Sequence, residues 1–194
     1  PEKYQETITI IGAGNIGSNV AHGLAKMGLK FITVYDFDKV ELHNLSSQFF
    51  GLEDIGQEKT KCLQQRLMEL TGTTISIRDK FVDQLVFGIL IIAVDSISER
   101  KRIAESIKKN LPDHIIDGRM GGNSMEIYTR SKADFDSYVD TLDENVEGVP
   151  CSARYISYTS LLIAGLITNQ VKKILKGEDV KKNIIFDVDT LRFA

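Results

Sequence analysis

Thr7–Gln48 reads TITIIGAGNIGSNVAHGLAKMGLKFITVYDFDKVELHNLSSQ, and the reading of the whole chain turns on it. Thr7 to Ile11 is a short apolar run rich in β-branched residues, long enough for one buried strand and too short for a helix. Gly12-Ala13-Gly14-Asn15-Ile16-Gly17 follows at once. From Asn15 to Met27 apolar residues then recur at Ile16, Val20, Leu24 and Met27, the spacing of one helical face. In a strand, glycine turn and helix that follow without a break, Gly12, Gly14 and Gly17 permit a tight turn, close approach of a phosphate and close packing of helix on strand. A tight turn that only packs a helix on a sheet shows the same glycines. Phe31 to Tyr35 is the next strand and ends in Asp36, at about the separation from the turn at which an acid takes ribose hydroxyls.

Outward from this stretch the chain alternates strand and helix. Gln57 to Leu70 is a helix with Leu63, Leu67 and Leu70 on one side. Lys59 lies in its first turn, where a cation opposes the helix dipole, so it is either solvated or faces an anion. Thr74 to Arg78 alternates as a strand, and Phe87 to Val94 is the continuous apolar run of a central parallel strand covered on both faces. Asp95 and Ser96 end it. A carboxylate there either sits in the crevice where open α/β sheets bind ligands or caps the helix Ile97 to Lys109, as Ser96 also would. His114 to Asp117 and Met125 to Tyr128 are strands, with Gly118-Arg119-Met120-Gly121-Gly122 read as a turn whose arginine is a surface residue or an anion fork. Ser131 to Leu142 reads as a short polar helix and Asp143 to Val149 as an acidic, mobile loop. Arg154 to Lys176, stopped by Gly177, is the longest helix; it is apolar nearly all round and so buried, within the domain or in part against a second subunit. Asn183 to Val188 is a last strand, flanked by the solvated acids Asp187 and Asp189. The expected fold class is α/β: Rossmann-like, a mostly parallel sheet with helices on both faces, in one domain spanning residues 1–194.

Composition narrows the function classes. With 42% apolar and 26% charged residues over 194 positions, the chain can bury one substantial core. A net charge of −3 with acids and bases interspersed builds no positive field, which argues against a nucleic-acid partner. The most apolar window, Leu161 to Ile167, is much shorter than the roughly 20 residues of a membrane span, so no membrane is expected. Two cysteines without a C-x-x-C pair and three scattered histidines argue against a disulfide scaffold or structural zinc and suit a reducing, cytoplasmic setting. Pro1 to Glu6 has neither an initiator methionine nor an apolar signal core and reads as a trimmed start.

The residues after Asp36 are more specific than the glycines. Asp38 makes an acidic pair, Asn44-Leu45-Ser46-Ser47-Gln48 follows, and Gly56-Gln57-Glu58-Lys59 opens the next helix. A dehydrogenase needs no such run. In this order, glycine turn, D-x-D, N-L-x-x-Q and G-x-x-K resemble the ThiF/MoeB/HesA family of adenylyltransferases, which activate ubiquitin-like and sulfur-carrier proteins. The resemblance covers Thr7 to about Arg102 closely and the helix from Cys151 to Lys176 more loosely. It implies ATP and Mg²⁺ as ligands, a small ubiquitin-like or sulfur-carrier protein as partner, and a homodimer. It also implies roles: Gly12, Gly14, Gly17, Asp36, Asp38, Asn44, Gln48, Lys59 and Asp95 in the nucleotide site, with Gly14 and its helix N-terminus approaching the phosphates, Asp36 on the ribose, Asn44 and Lys59 on the phosphates, and Asp95 on the magnesium, with Arg100 the arginine that follows it.

Three departures from the family pattern bear on function. The two C-x-x-C pairs that many members carry for zinc are absent. Ser47 stands where the family has arginine, so a phosphate-contacting cation is missing unless Arg100 or Arg119 substitutes, and loss of such a contact slows phosphoryl chemistry by orders of magnitude. Cys151 stands where some members have an acyl-accepting thiol; a helix N-terminus and nearby Arg154 would lower its pKa, whereas Cys62 sits beside apolar Leu63. The competing readings are an adenylyltransferase for a small molecule or an RNA-borne carboxylate, a degenerate non-catalytic nucleotide-binding partner subunit, and an NAD-dependent Rossmann oxidoreductase. The last leaves Asp38, Asn44, Gln48 and Lys59 without a role.

Overall fold

The computed structural model of the protein describes residues 6–82, 85–142 and 157–193. Three short apolar segments become strands β1 (Ile8–Ile11), β2 (Ile32–Tyr35) and β4 (Ile89–Ile92), with the alternating β3 (Ser76–Arg78) before the last, followed by β5 (His114–Gly121), β6 (Ser124–Ser131), β7 (Asn183–Asp187) and β8 (Arg192–Phe193). They form one sheet in the order β3-β2-β1-β4-β5-β6-β7-β8. The pairings from β3 to β5 are parallel and those from β5 to β8 antiparallel. The helices are α1 (Gly17–Lys26), α2 (Lys59–Thr71), α3 (Ile97–Ile107), α4 (Phe135–Val139) and α5 (Ser157–Lys176).

Period-2 alternation divides the core between the two faces of the sheet. Ile8, Ile10, Ile89, Ile91 and Ile116 meet Val20 and Leu24 of α1, Leu63 and Leu67 of α2, and Ile163 and Ile167 of α5. Ile11, Leu90, Ile92 and Ile115 meet Ile103, Ala104 and Ile107 of α3 and Phe135 and Tyr138 of α4. All four β4 residues are fully buried, as a strand covered on both faces requires. The sheet is mostly parallel and Rossmann-like, with helices on both faces.

The third quarter of the chain differs from its sequence reading. Gly118 to Gly121 is not a turn: β5 continues through it, and the reversal comes at Gly122, whose φ is +59°. Gly118 pairs with Ile127 in this strand, and glycine is required there because α5 packs so close that a Cβ would meet Ile167 Cδ1 at 2.8 Å. β6 likewise runs on to Ser131, leaving only a 3-10 turn (Lys132–Asp134) and the five-residue α4 where a longer polar helix is expected. α4 forms because its Phe135 and Tyr138 anchor it in the core. Asp187 does more than meet solvent: its Oδ1 accepts the Thr190 N–H (2.8 Å) and hydroxyl (2.7 Å), building the turn into β8, and these bonds hold its carboxyl below the usual carboxylate range.

Strand order reverses between β1 and β4, and this opens a crevice at their C-terminal ends. The glycine turn, Asp36 and Asp95 follow the C-terminal ends of β1, β2 and β4, so the topology gathers them at one edge of the sheet.

Candidate functional site

Steric necessity fixes the glycine turn. Gly12 has φ +96° and a Cβ on it would meet the Ala93 carbonyl oxygen at 2.5 Å; on Gly17 a Cβ would meet the Gly12 oxygen at 1.8 Å. Gly14 is different, since nothing lies within 4 Å of a Cβ built there. That open face at the start of α1 is where a phosphate has room to approach helix N–H groups.

Asp36 braces the turn from β2. Its Oδ2 accepts the Ala13 N–H at 2.6 Å and its Oδ1 the Asp38 N–H at 2.8 Å. Each carboxylate oxygen can accept again, so a ribose hydroxyl can still be bound. Asp38 pairs with Lys59, Nζ to Oδ2 at 3.0 Å; the lysine side chain is 8% exposed and the aspartate 53%. The anion that Lys59 faces is therefore Asp38, and the backbone adds a second tie, Lys59 N–H to the Asp38 carbonyl at 3.0 Å.

The polar run is stitched back onto α1. Asn44 Oδ1 accepts the Glu41 N–H at 2.9 Å and holds a 3-10 turn over Leu42–Ser46. Asn19 Nδ2 donates to the Ser47 carbonyl at 2.9 Å, the Ser47 hydroxyl to Asn15 Oδ1 at 2.8 Å, and the Phe49 N–H to Ser18 Oγ at 3.0 Å. His22 stacks on Phe49, centroids 4.1 Å apart and planes 11° from parallel. Gln48 Oε1 is buried without a hydrogen-bond partner among the described residues, an acceptor left over inside the segment.

Asp95 is exposed just beyond β4, two residues past the Ala93 carbonyl on which Gly12 packs. It does not cap α3. Ser96 does so, its Oγ accepting the Glu99 N–H at 3.2 Å. Asp95 thus has no hydrogen bond or ion pair among the described residues. No group of three or more potential ligand side chains that could hold a metal occurs among them either. A lone carboxylate suits Mg²⁺, which is usually held by one or two carboxylates together with substrate phosphates.

The two arginines considered as substitutes for the missing cation are committed elsewhere. Arg100 is 3% exposed; its guanidinium donates to Asp117 Oδ1 (2.9 Å), the Gly118 carbonyl (2.9 Å) and the Ser96 carbonyl (3.2 Å). Arg119 is a fork, bonding Asp117 Oδ2 through Nε (2.9 Å) and Nη2 (2.8 Å) and Thr141 through its carbonyl and hydroxyl (both 2.8 Å), with the Tyr128 ring 4.4 Å away. Asp117 is fully buried. The D-x-R spacing puts Asp117 and Arg119 on one face of β5, the sequence signal by which this pair is found. Cys151 and Arg154 lie outside the described residues. Cys62 is buried, and burial followed by the Asp54 carboxylate pushes its thiol up to about 11.

A cavity of about 280 Å³ beside Asp36 is lined also by Phe37, Lys39, Glu58, Asp79 and Lys80. Phe37 is 66% exposed, with Lys80 Nζ 5.4 Å from its ring centroid. Its signal in the sequence is an aromatic residue directly after the acid that ends β2.

The sequence pattern of the ThiF family matches residues 4–194. The chain belongs to the ThiF family. Among curated ThiF-like relatives, the NEDD8-activating enzyme E1 catalytic subunit of Caenorhabditis elegans is 30% identical over 164 residues, covering 80% of this chain and 35% of the relative. That of Arabidopsis thaliana is 36% identical over 104 residues, covering 50% and 23%. These relatives are ubiquitin-like modifier-activating enzymes, and this chain spans about a quarter to a third of their length. Among solved structures, E. coli MccB with ATP superposes with a TM-score of 0.77 at 16% identity, covering 99% of this chain and 63% of that one. PaaA superposes at 0.72 and 17% identity, covering 98% and 72%. At these identities the likeness to MccB and PaaA is one of fold. No helix among the described residues is long and apolar enough to cross a membrane.

Proposed function

We propose that this chain is an adenylation domain, extending over residues 1–194, that uses ATP to activate the C-terminal carboxylate of a small ubiquitin-like or sulfur-carrier protein. The observation that carries this is the stitching of the run after β2 onto the glycine turn: Asp36 braces Ala13, and Ser47 and Phe49 bond Asn15 and Ser18. These contacts tie the polar run to the start of α1, and Asp38 holds Lys59; they support a nucleotide site at the open face of Gly14.

The chemistry follows from charge and position. A carboxylate oxygen of the carrier attacks the α-phosphorus of ATP; the new P–O bond gives the acyl-adenylate, and pyrophosphate leaves with the electron pair. No general base is needed, because the attacking carboxylate is already ionised at neutral pH. The protein contributes in-line positioning and neutralisation of phosphate charge. Asp36 takes the ribose, and the cavity beside Phe37 takes the base. The Gly12–Gly17 turn, Asn44 and Lys59 meet the phosphates, and Gln48 belongs to the same nucleotide site. Asp95 would hold Mg²⁺, which would supply charge neutralisation there. Cys151 is the proposed acceptor: its thiolate attacks the acyl carbon of the adenylate and AMP leaves with the electron pair, giving a thioester that mass spectrometry of the carrier-treated protein against Cys151→Ser tests. A second copy is proposed to cover α5, whose Leu161 and Leu162 are 60% and 44% exposed.

One observation favours a second reading, a partner subunit that binds nucleotide without turning it over: Arg100 and Arg119 are both spent on Asp117 and so cannot stand in for the cation missing at Ser47. Calorimetric titration with Mg²⁺-ATP and with NAD separates the possibilities. The adenylation site predicts that ATP binds, NAD does not, and Asp95→Ala weakens ATP about tenfold or more. Wild-type protein that binds no ATP sinks the reading. ATP binding without pyrophosphate exchange, across a panel of carriers ending in Gly-Gly, leaves the partner-subunit role in its place.

A further inference from the structure

Asn15 is the one polar side chain inside the Gly12–Gly17 turn, and it is held from outside the turn. The Ser47 hydroxyl donates to its Oδ1 at 2.8 Å across 32 positions of sequence. Ser47 is itself fixed, because Asn19 Nδ2 donates to its carbonyl at 2.9 Å and to the Asn15 carbonyl at 2.8 Å. With Oδ1 engaged, what remains of the carboxamide is Nδ2, a pair of N–H donors with no hydrogen-bond partner among the described residues. The residue is half-buried, adjoins the open face of Gly14 and leads into the ten-residue α1.

We propose that Asn15 donates a hydrogen bond from Nδ2 to a phosphate of the nucleotide bound at this turn, and that Ser47 is the positioning residue that sets its orientation. The inference rests on the nucleotide reading above and adds to it the residue pair Asn15 and Ser47. A carboxamide carries no charge, so it supplies direction without the electrostatic pull of a guanidinium. Its value depends on being held in place, because a free asparagine side chain loses rotamer freedom when it binds. The Ser47 hydroxyl removes that cost before the ligand arrives. Ser47 therefore contributes to phosphate binding through Asn15 and makes no phosphate contact of its own.

Ligand-observed NMR titration, which reads weak as well as tight binding, tests this on the full chain with Mg²⁺-ATP and with adenosine, which keeps base and ribose and lacks phosphate. Asn15→Ala should weaken ATP roughly tenfold, the size of one hydrogen bond to a charged group, and leave adenosine unchanged. Ser47→Ala should weaken ATP by a smaller factor, about two- to fivefold, and the double variant should match Asn15→Ala alone, because Ser47 acts only through Asn15. Melting temperatures of the three variants should stay close to wild type. Unchanged ATP affinity in Asn15→Ala overturns the proposal, as does an equal loss for ATP and adenosine, which would mark a structural role. A Ser47→Ala effect that persists in full on the Asn15→Ala background overturns the positioning role. Wild-type protein that binds neither ligand removes the nucleotide reading itself, a result distinct from a silent Asn15→Ala.

Discussion

Asp95 lies just beyond the end of β4, and Asp117 stands across from Ile92 on the adjacent parallel strand β5, yet their surroundings are opposite. Asp117 is fully buried, with two guanidiniums and, at 3.5 Å, the Tyr138 hydroxyl on its oxygens. Asp95 is exposed and has no bond among the described residues. The same side chain is thus a structural tie within β5 and a solvated carboxylate just beyond β4. Burial decides between them, because a charge taken out of water must be paired, whereas one at the crevice mouth is stable unpaired. The arginines follow their partner: Arg100 comes a few residues after Asp95 in sequence but serves Asp117 in space, tying the Ser96 carbonyl to β5.

The largest expected effect falls on the buried member. Asp117→Ala strands the Arg100 charge in the core and should cost about 3–5 kcal/mol of unfolding free energy, read by urea denaturation. A loss under about 1 kcal/mol would mean that water reaches the pair, and the contrast would fail. Asp95→Ala should change the same quantity by no more than about 0.5 kcal/mol, as a surface substitution does, while lowering ATP affinity. Together the two variants separate a stability residue from a binding residue.

A smaller effect extends the comparison of buried and open groups to Cys62. With its thiol raised to about 11, Cys62 should stay unlabelled by a thiol reagent at pH 8 in the native protein and react only on unfolding, as mass spectrometry of the labelled peptide would show. Rapid native labelling would mean that the Leu63 and Leu67 side of α2 opens readily. The smallest effect concerns the His22–Phe49 stack that secures the polar run against α1. Burial, and then the charge of Lys26, lowers the His22 pKa below 6.5. Below pH 6.5 the unfolded chain therefore binds this proton more readily than the folded one, so the contribution to stability is whole above pH 6.5 and is lost as the pH falls toward the folded pKa. Between pH 7.5 and 5.5 the wild-type melting temperature should drop slightly more than that of His22→Gln; an equal drop would show that the stack carries no proton linkage.

Much of this architecture was legible residue by residue. Strands β1, β2 and β4 are apolar runs bounded by glycine or acid, α1 and α2 carry helical periodicity, and the glycine turn with Asp36 is defined by spacing along a single strand-turn-helix-strand segment. Local sequence suffices there because each signal lies within a few residues of the structure it specifies. The hairpin β5–β6 was legible only in its cores, His114 to Asp117 and Met125 to Tyr128, and not in its continuation to Gly121 and Ser131. Glycine at 118 and 121 signals a turn in isolation, whereas in the fold both are paired across the hairpin, with Ile127 and Ser124, and the approach of Ile167 from α5 leaves no room for a Cβ at 118.

The site divides the same way. Sequence alone determined the glycines, the acids after β2, the polar run and Lys59, since their order and spacing are properties of the chain. Only the tertiary structure decided that Lys59 faces Asp38, that Ser47 holds Asn15 across 32 positions, and that Arg100 and Arg119 are spent on Asp117. Which donor meets which acceptor depends on distance in space, and the folded sheet sets that distance by bringing remote segments to one edge.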